Sequence, residues 1–116
     1  MRVHRIIADL PVADLAATKA FYADYLGLKT AFDLGWVARL TSPETGACVQ
    51  VLTADASAIE SPAISVLVDD IDEAYRLAVE AGYEILHPLT TEPWGVRRFF
   101  LRAPDGTVIN MVRHAN

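Results

Sequence analysis

The chain has 116 residues, and its Lys+Arg 10 against Asp+Glu 15 gives a formal net charge of −5. This acidic balance argues against a surface for nucleic acid or an anionic membrane. Hydrophobic residues make up 53% of the sequence, so we expect one well-filled domain rather than a disordered chain. Cys48 is the single cysteine and cannot form an internal disulfide, and no long apolar run or signal-peptide core is present. These features favour a cytoplasmic location.

The first half of the chain predicts a strand, a helix and three further strands. The first strand runs from Val3 to Leu10, and Asp14 caps a helix that ends at Leu26 before Gly27. The predicted apolar face of this helix consists of Leu15, Phe21, Tyr22, Tyr25 and Leu26. Short strands follow over residues 28–32, 36–41 and 47–53, separated by turn-forming residues.

The second half repeats this plan after a linker predicted over residues 53–62. A strand over 63–68 leads to Asp70 and Glu73, which predict a capping box for a helix ending near Ala81. Gly82 stops that helix, and a strand over 83–86 and a hairpin over 97–112 complete the set. The repeat is visible in the spacing of the two helix caps, since Asp14 and Asp70 are 56 positions apart (70 − 14).

The hairpin turns at Ala103-Pro104-Asp105-Gly106, and the alternation of its strands separates two faces. One face is an apolar row that we expect to pack on a helix: Phe99, Leu101, Ile109 and Met111. The other face is of mixed character: Arg98, Phe100, Arg102, Val108, Asn110 and Val112. Arginine, aromatic and amide side chains together indicate the lining of a wet cavity. The alternative is an ordinary hairpin whose second face meets solvent.

Two βαβββ units each leave one sheet face uncovered, and pairing them would cover it. The sequence therefore predicts an α+β fold with a single domain over residues 1–116. Module one spans 1–56 and module two spans 62–116. An unrelated α+β sandwich with a coincidental repeat is the alternative.

Several short motifs resemble the vicinal oxygen chelate superfamily, the glyoxalase / bleomycin resistance protein / extradiol dioxygenase group. They are Val12-Ala13-Asp14-Leu15, Phe21-Tyr22, Leu26-Gly27-Leu28, Val68-Asp69-Asp70-Ile71, Ala81-Gly82, Pro93-Trp94-Gly95 and Ala103-Pro104-Asp105-Gly106. The resemblance implies two βαβββ modules that form a cupped mixed sheet with helices on its outer face. It does not define a reaction, because this fold carries many chemistries and some plain binding.

The resemblance also implies four metal-ligand positions, which fall on Ile7, Gln50, Ala63 and Asn110. Ile7 and Ala63 have no donor atom, and the two amides are weak neutral ligands, whereas a divalent ion usually needs three or four good donors. We therefore predict no metal and no cofactor. The three histidines, His4, His87 and His114, are scattered, and we interpret them as structural or surface residues.

No motif for nucleophilic catalysis occurs in the sequence, and we predict no catalytic residue. Asp9 is the one acidic residue placed near the cup, and a polar residue at a strand end is its alternative interpretation. The predicted ligand-binding residues are Ile7, Trp36, Gln50, Ala63, Trp94, Arg98, Phe100 and Asn110. Together they describe a pocket for a planar, amphipathic ligand. Trp94 as core filler and Arg98 as a surface charge remain alternatives.

The tryptophan loop and the arginine-rich strand resemble bleomycin resistance proteins, which sequester a drug without altering it. The resulting hypothesis is a metal-independent binding protein for a small aromatic ligand, which sequesters an antibiotic and forms a homodimer. The hypothesis includes no nucleic-acid or membrane partner. The first alternative is a lyase, isomerase or dioxygenase-like enzyme of the same superfamily with a degenerate or absent metal site. The second is a subunit that only mediates protein contacts.

Overall fold

A computed structural model describes residues 1–53 and 60–114. Its elements are, in order, β1 (Val3–Pro11), α1 (Leu15–Leu26), β2 (Lys29–Asp33), β3 (Val37–Thr41), β4 (Cys48–Leu52), β5 (Ile64–Val68), α2 (Ile71–Glu80), β6 (Ile85–Thr91), β7 (Val96–Arg102) and β8 (Val108–His114). This order is βαβββ twice, so the predicted α+β class and two-module plan are confirmed. Most of the linker predicted over 53–62 lies outside the described residues. Neither helix among the described residues has the length and apolar character to cross a membrane.

The chain divides into two compact units. The N-terminal unit is Ile7–Ser57, and the C-terminal unit combines Met1–Ile6 with Ala58–Asn116. The first residues are joined to the rest of the C-terminal unit at Asp69, because the Arg2 N–H donates to Asp69 Oδ1 at 2.6 Å and the Asp69 N–H donates to the Arg2 carbonyl at 3.1 Å. The single domain and the module bounds given above remain predictions.

In the N-terminal unit the strands lie in the order β2-β3-β4-β1. Strand β3 is antiparallel to both β2 and β4, and β1 runs parallel to β4. Ala38, Leu40 and Val51 form the buried core of this unit, against which Leu15 and Tyr22 of α1 pack. Because side chains alternate along a strand, the residues between these core positions point to the other face of the sheet.

Helix α1 begins and ends as the sequence predicts. Asp14 Oδ1 accepts the N–H of Ala17 at 2.9 Å, and Gly27 has the left-handed conformation with φ 70°. The N–H groups of Gly27 and Leu28 donate to the carbonyls of Ala23 and Tyr22, which satisfies the last turn of the helix.

The predicted apolar face of α1 is partly wrong. Leu15 and Tyr22, seven positions apart and therefore nearly two helical turns, do pack on the sheet. Phe21 and Tyr25 are instead 55% and 77% exposed, and Leu26 is also exposed. Phe21 and Tyr25 are four positions apart on another side of the helix, where their rings stack on each other with centroids 5.6 Å apart. The helix is apolar on two sides, and only one meets the sheet.

In the C-terminal unit the strands lie in the order β5-β8-β7-β6. Strand β8 is parallel to β5 and antiparallel to β7. The core under α2 consists of Val66, Val68, Ile71, Ala74, Ala78, Phe99 and Met111, with Leu101 and Ile109 packed against it. The apolar row of the hairpin therefore packs on a helix, as predicted.

The ends of α2 and the start of β6 differ in part from the prediction. Asp70 Oδ1 accepts the N–H of Glu73 at 3.0 Å, but the Glu73 carboxylate binds the Met1 ammonium at 2.8 Å. The capping box is therefore only half formed. Gly82 ends the helix with φ 78°, and the Tyr83 N–H still donates to the Ala78 carbonyl at 3.1 Å. Because that bond holds Tyr83 at the helix end, β6 starts at Ile85 instead of 83 and extends to Thr91 along β7.

The turn between β7 and β8 has the predicted chemistry. The Gly106 N–H donates to the Ala103 carbonyl at 2.9 Å, and Gly106 has φ 92°. Asp105 Oδ1 accepts the N–H of Thr107 at 3.0 Å, and this backbone hydrogen bond holds the pKa of the Asp105 carboxyl below its ordinary value. The turn fixes the hairpin register, in which Phe100 lies opposite Asn110 and Arg98 opposite Val112.

Candidate functional site

Arg98, Phe100 and Asn110 lie on the face of β7 and β8 that points away from α2. Arg98 is 4% exposed, Phe100 is 1% exposed and Asn110 is 8% exposed. The alternative of a hairpin face that meets solvent is therefore wrong, and so is the interpretation of Arg98 as a surface charge. Arg102, predicted on the same face, is only partly buried and binds Glu60 and Glu84 at the strand end.

Arg98 is held by an ion pair and by two aromatic rings. Its Nε donates to Glu92 Oε2 at 2.7 Å, and its Nη2 forms an ion pair with the same oxygen at 2.6 Å. The guanidinium carbon lies 5.0 Å from the Trp94 ring centroid and 4.8 Å from that of Phe100, within cation–π range. Trp94 itself is half-buried, so it covers Arg98 while part of its indole remains exposed. It is therefore not simple core filler.

His87 joins this cluster from β6. Its ring centroid is 5.1 Å from that of Phe100, and its Nε2 is 3.4 Å from Glu92 Oε2. That distance is within ion-pair range, but the buried Nε2 makes no hydrogen bond to any described residue. Because a carboxylate oxygen only accepts hydrogen bonds, Nε2 must carry a hydrogen to avoid repulsion between lone pairs. Sequence reasoning missed both His87 and Glu92. The available signal was that Glu92 directly precedes the Pro-Trp-Gly loop.

Asn110 is paired with Ser65 across the parallel strands β8 and β5. Its Nδ2 donates to Ser65 Oγ at 3.0 Å, whereas its Oδ1 is buried and accepts no hydrogen bond from the described part of the chain. Buried polar atoms are nearly always satisfied, so an unpaired one needs an explanation such as a ligand or water. Ala63, a predicted site residue, lies just before β5 and is exposed, and its N–H donates to the Val108 carbonyl at 2.9 Å.

The N-terminal unit has its own buried polar group on the face away from α1. Gln50 Nε2 donates to Asp9 Oδ1 at 2.7 Å, and Arg39 donates from Nε and Nη2 to Gln50 Oε1 at 3.1 Å and 2.8 Å. Arg39 also lies 4.9 Å from the ring centroid of Phe32. The Gln50 amide thus connects a buried cation to a buried anion. Asp9 is part of this network rather than a polar residue at a strand end.

The other predicted residues of the N-terminal unit are Ile7 and Trp36. Ile7 is fully buried and lies two residues before Asp9 on β1. Trp36 is half-buried in the turn before β3, and its carbonyl accepts the N–H of Thr53 at 2.9 Å. Their roles in ligand binding remain predictions.

The donor atoms at the four positions implied by the resemblance do not fit a divalent metal ion. Ile7 and Ala63 have no donor, and both ends of the Gln50 amide are engaged by Asp9 and Arg39. Asn110 offers one neutral amide oxygen, a weak ligand. Within residues 1–53 and 60–114, no three His, Cys, Asp or Glu side chains form a group that could hold a metal ion.

The buried ion pair of Glu92 should contribute much more to stability than an exposed pair on the same strand. Glu92→Ala leaves Arg98 without this carboxylate in a buried position, so we expect the free energy of unfolding to fall by roughly 3 kcal/mol or more. The control is Glu84→Ala, because Glu84 pairs with Arg102 with its side chain 61% exposed. That change should cost less than about 1 kcal/mol. Urea denaturation compares them, and equal losses would contradict the assignment.

Comparison with known proteins places this fold in one superfamily. The sequence profile of the Glyoxalase/Bleomycin resistance protein/Dioxygenase superfamily matches residues 2–111. No curated protein matches the chain significantly.

Solved structures show the same fold. An NAD-dependent benzaldehyde dehydrogenase from Legionella pneumophila is 17% identical, with a TM-score of 0.78 and coverage of 95% of this chain and 99% of that one. A superfamily member from Vibrio splendidus 12B01 is 20% identical, with a TM-score of 0.70 and coverage of 94% and 97%. The Mn(II)-bound glyoxalase from Novosphingobium aromaticivorans is 28% identical, with a TM-score of 0.66 and coverage of 97% and 39%.

The matched profile spans nearly the whole chain, and the element order is the one that the resemblance implied. The protein belongs to the Glyoxalase/Bleomycin resistance protein/Dioxygenase superfamily.

Proposed function

We propose that the protein binds a small planar ligand without a metal and sequesters an aromatic antibiotic. The observation that carries this proposal is the layered arrangement of Trp94, Arg98 and Phe100, fixed in place by Glu92. It lies beside the unsatisfied Oδ1 of Asn110 on the same strand pair. The indole of Trp94 is half-buried and contacts the restrained guanidinium of Arg98, so a flat aromatic ring can stack on it.

Rigidity strengthens this argument. The ion pair with Glu92 and the ring of Phe100 restrict Arg98, and Arg98 in turn supports Trp94 from beneath. The side chains are therefore ordered before a ligand arrives, which reduces the entropy cost of binding. The layered geometry also favours flat ligands over bulky aliphatic ones.

The same contacts favour binding over catalysis. Glu92 and Gln50, a buried polar side chain in each unit, are bound by Arg98 and by Arg39. The Novosphingobium glyoxalase is described as Mn(II)-bound, but two of the metal positions implied here are Ile7 and Ala63, which have no donor atom. An enzyme of the superfamily with a degenerate or absent metal site is the alternative function.

We also propose that the protein is a cytoplasmic homodimer. Strands β2 and β6 are the terminal strands in the order of their units, and edge strands are usually covered. A symmetric dimer would cover them, and the exposed rings of Phe21 and Tyr25 supply further apolar surface.

The dimer should bury well over ~1,000 Å² of surface in total and should persist at micromolar concentration. Light scattering coupled to size-exclusion chromatography measures the mass directly. A single peak with the mass of one chain at that concentration would refute the dimer.

The purified, untagged protein should carry no stoichiometric divalent metal, because Ile7 and Ala63 provide no donors. Elemental analysis after purification without chelators checks this expectation. About one zinc, nickel, manganese or iron per chain would contradict it.

Trp94→Ala should weaken the binding of a bleomycin- or quinoxaline-type antibiotic, because a stacking surface is lost. Truncating an anchor of this kind costs about 2 kcal/mol, roughly thirtyfold in affinity. Isothermal titration calorimetry measures the effect, and Trp94→Phe is the matched control because it keeps a flat ring. Unchanged affinity in Trp94→Ala would remove the stacking argument.

The ligand should also be recovered chemically unchanged after incubation with the protein. A cleaved or conjugated product, seen by mass spectrometry, would support the enzymatic alternative in place of sequestration.

A further inference from the structure

The polar face of the C-terminal unit has two oxygen acceptors that receive no hydrogen bond from the described residues. One is the buried Oδ1 of Asn110. The other is Oε1 of Glu92, because the contacts of this carboxylate with Arg98 and His87 all fall on Oε2. Glu92 as a residue is only 7% exposed. Oε1 itself is not among the fully buried unpaired atoms of the described residues, so a hydrogen-bond donor from outside the chain can reach it.

We infer that the ligand of this site carries hydrogen-bond donors, N–H or O–H, on its planar ring system, and that Asn110 Oδ1 and Glu92 Oε1 accept them. The inference rests on the proposed function, since the ring itself stacks at Trp94. It restricts the candidate ligands to aromatic ring systems that carry an amide, amine or phenol group. A ligand with a carboxylate in these positions would place oxygen against oxygen.

A buried arginine would ordinarily indicate an anion-binding site, but the contacts of Arg98 point the other way. Its Nε and Nη2 lie within 2.7 Å of Glu92 Oε2, and its guanidinium carbon lies over the rings of Trp94 and Phe100. The positive charge is therefore balanced by a neighbouring carboxylate. The oxygen atoms of this face that accept no hydrogen bond from the described residues are Asn110 Oδ1 and Glu92 Oε1.

We expect the two acceptors to lie within reach of a single ligand. Asn110 lies directly opposite Phe100, and Phe100 is two residues from Arg98, which holds Glu92. Side chains two residues apart on a strand are separated by about 7 Å, a distance that a fused bicyclic ring with a substituent can span. The nearest described contact of His87 Nε2 with this carboxylate is to Oε2 at 3.4 Å, not to Oε1.

The test uses three probes that share one ring: quinoxaline-2-carboxamide, its N,N-dimethyl derivative and quinoxaline-2-carboxylate. Isothermal titration calorimetry should give an affinity for the carboxamide at least about tenfold higher than for the other two, because only it has N–H donors. Tighter or equal binding of the carboxylate overturns the inference.

Two sets of variants assign the acceptors. Glu92→Gln conserves shape and presents an amide nitrogen in place of an acceptor, so the preference for the carboxamide over the carboxylate should shrink about tenfold. Asn110→Asp keeps an acceptor and should retain carboxamide binding within about threefold, whereas Asn110→Leu should lose about tenfold. If Asn110→Asp loses as much affinity for the carboxamide as Asn110→Leu does, the amide nitrogen of Asn110 contacts the ligand, and the inference is wrong. Thermal unfolding checks each variant, and the smaller change Asn110→Ala replaces Asn110→Leu if that variant does not fold.

The outcomes separate this inference from the proposed function. Equal binding of all three probes that is lost in Trp94→Ala keeps the proposed function and overturns the inference. If bleomycin binds but the carboxamide does not, the proposed function also stands and the inference is overturned. If neither bleomycin nor any quinoxaline binds, both are overturned.

Discussion

A buried ion pair between Arg98 and Glu92 determines the local structure around the candidate site. A buried charge without a partner is costly, so the two side chains must meet although six positions separate them. The loop between them makes this meeting geometrically feasible. The Glu92 N–H donates to the Val96 carbonyl at 2.7 Å, and the Gly95 N–H donates to the Glu92 carbonyl at 3.1 Å. Gly95 has φ 94°, which a side chain would disfavour, and Trp94 is thereby carried over the guanidinium.

In the N-terminal unit, an amide side chain lies between two buried charged groups. Gln50 lies between Arg39 and Asp9 and satisfies both. Equivalent strands of the two modules carry equivalent pairs, because Asp9 lies opposite Gln50 and Ser65 lies opposite Asn110. Asp9 and Ser65 are 56 positions apart (65 − 9), the same offset as the helix caps. The repeat therefore extends to the polar faces, although the residue types differ and only the first pair carries a charge.

Local signals in the sequence predicted much of this structure. Asp14 and Asp70 identified the helix starts, Gly27 and Gly82 the ends, and the period of two in the hairpin placed Arg98, Phe100 and Asn110 on one face. The exposed side of α1 could not be predicted, because this short helix is apolar on two sides and only tertiary packing chooses between them. The networks of Gln50 and Glu92 were missed for a different reason. Their partners come from other strands, and a single sequence does not give the register that brings them together.

The ion pair also limits how this site can diverge in evolution. Replacing Arg98 or Glu92 alone removes a contact between two buried charges, so we expect changes at the two positions to be coupled. The loop between Glu92 and Arg98 is restricted in the same way, because its conformation depends on the contact between these two side chains. Asn110 and Trp94 carry no charge, so replacing either of them does not break a buried ion pair. Relatives that keep the ion pair can therefore acquire new ligand preferences by exchanging those two side chains, while the scaffold beneath them stays the same.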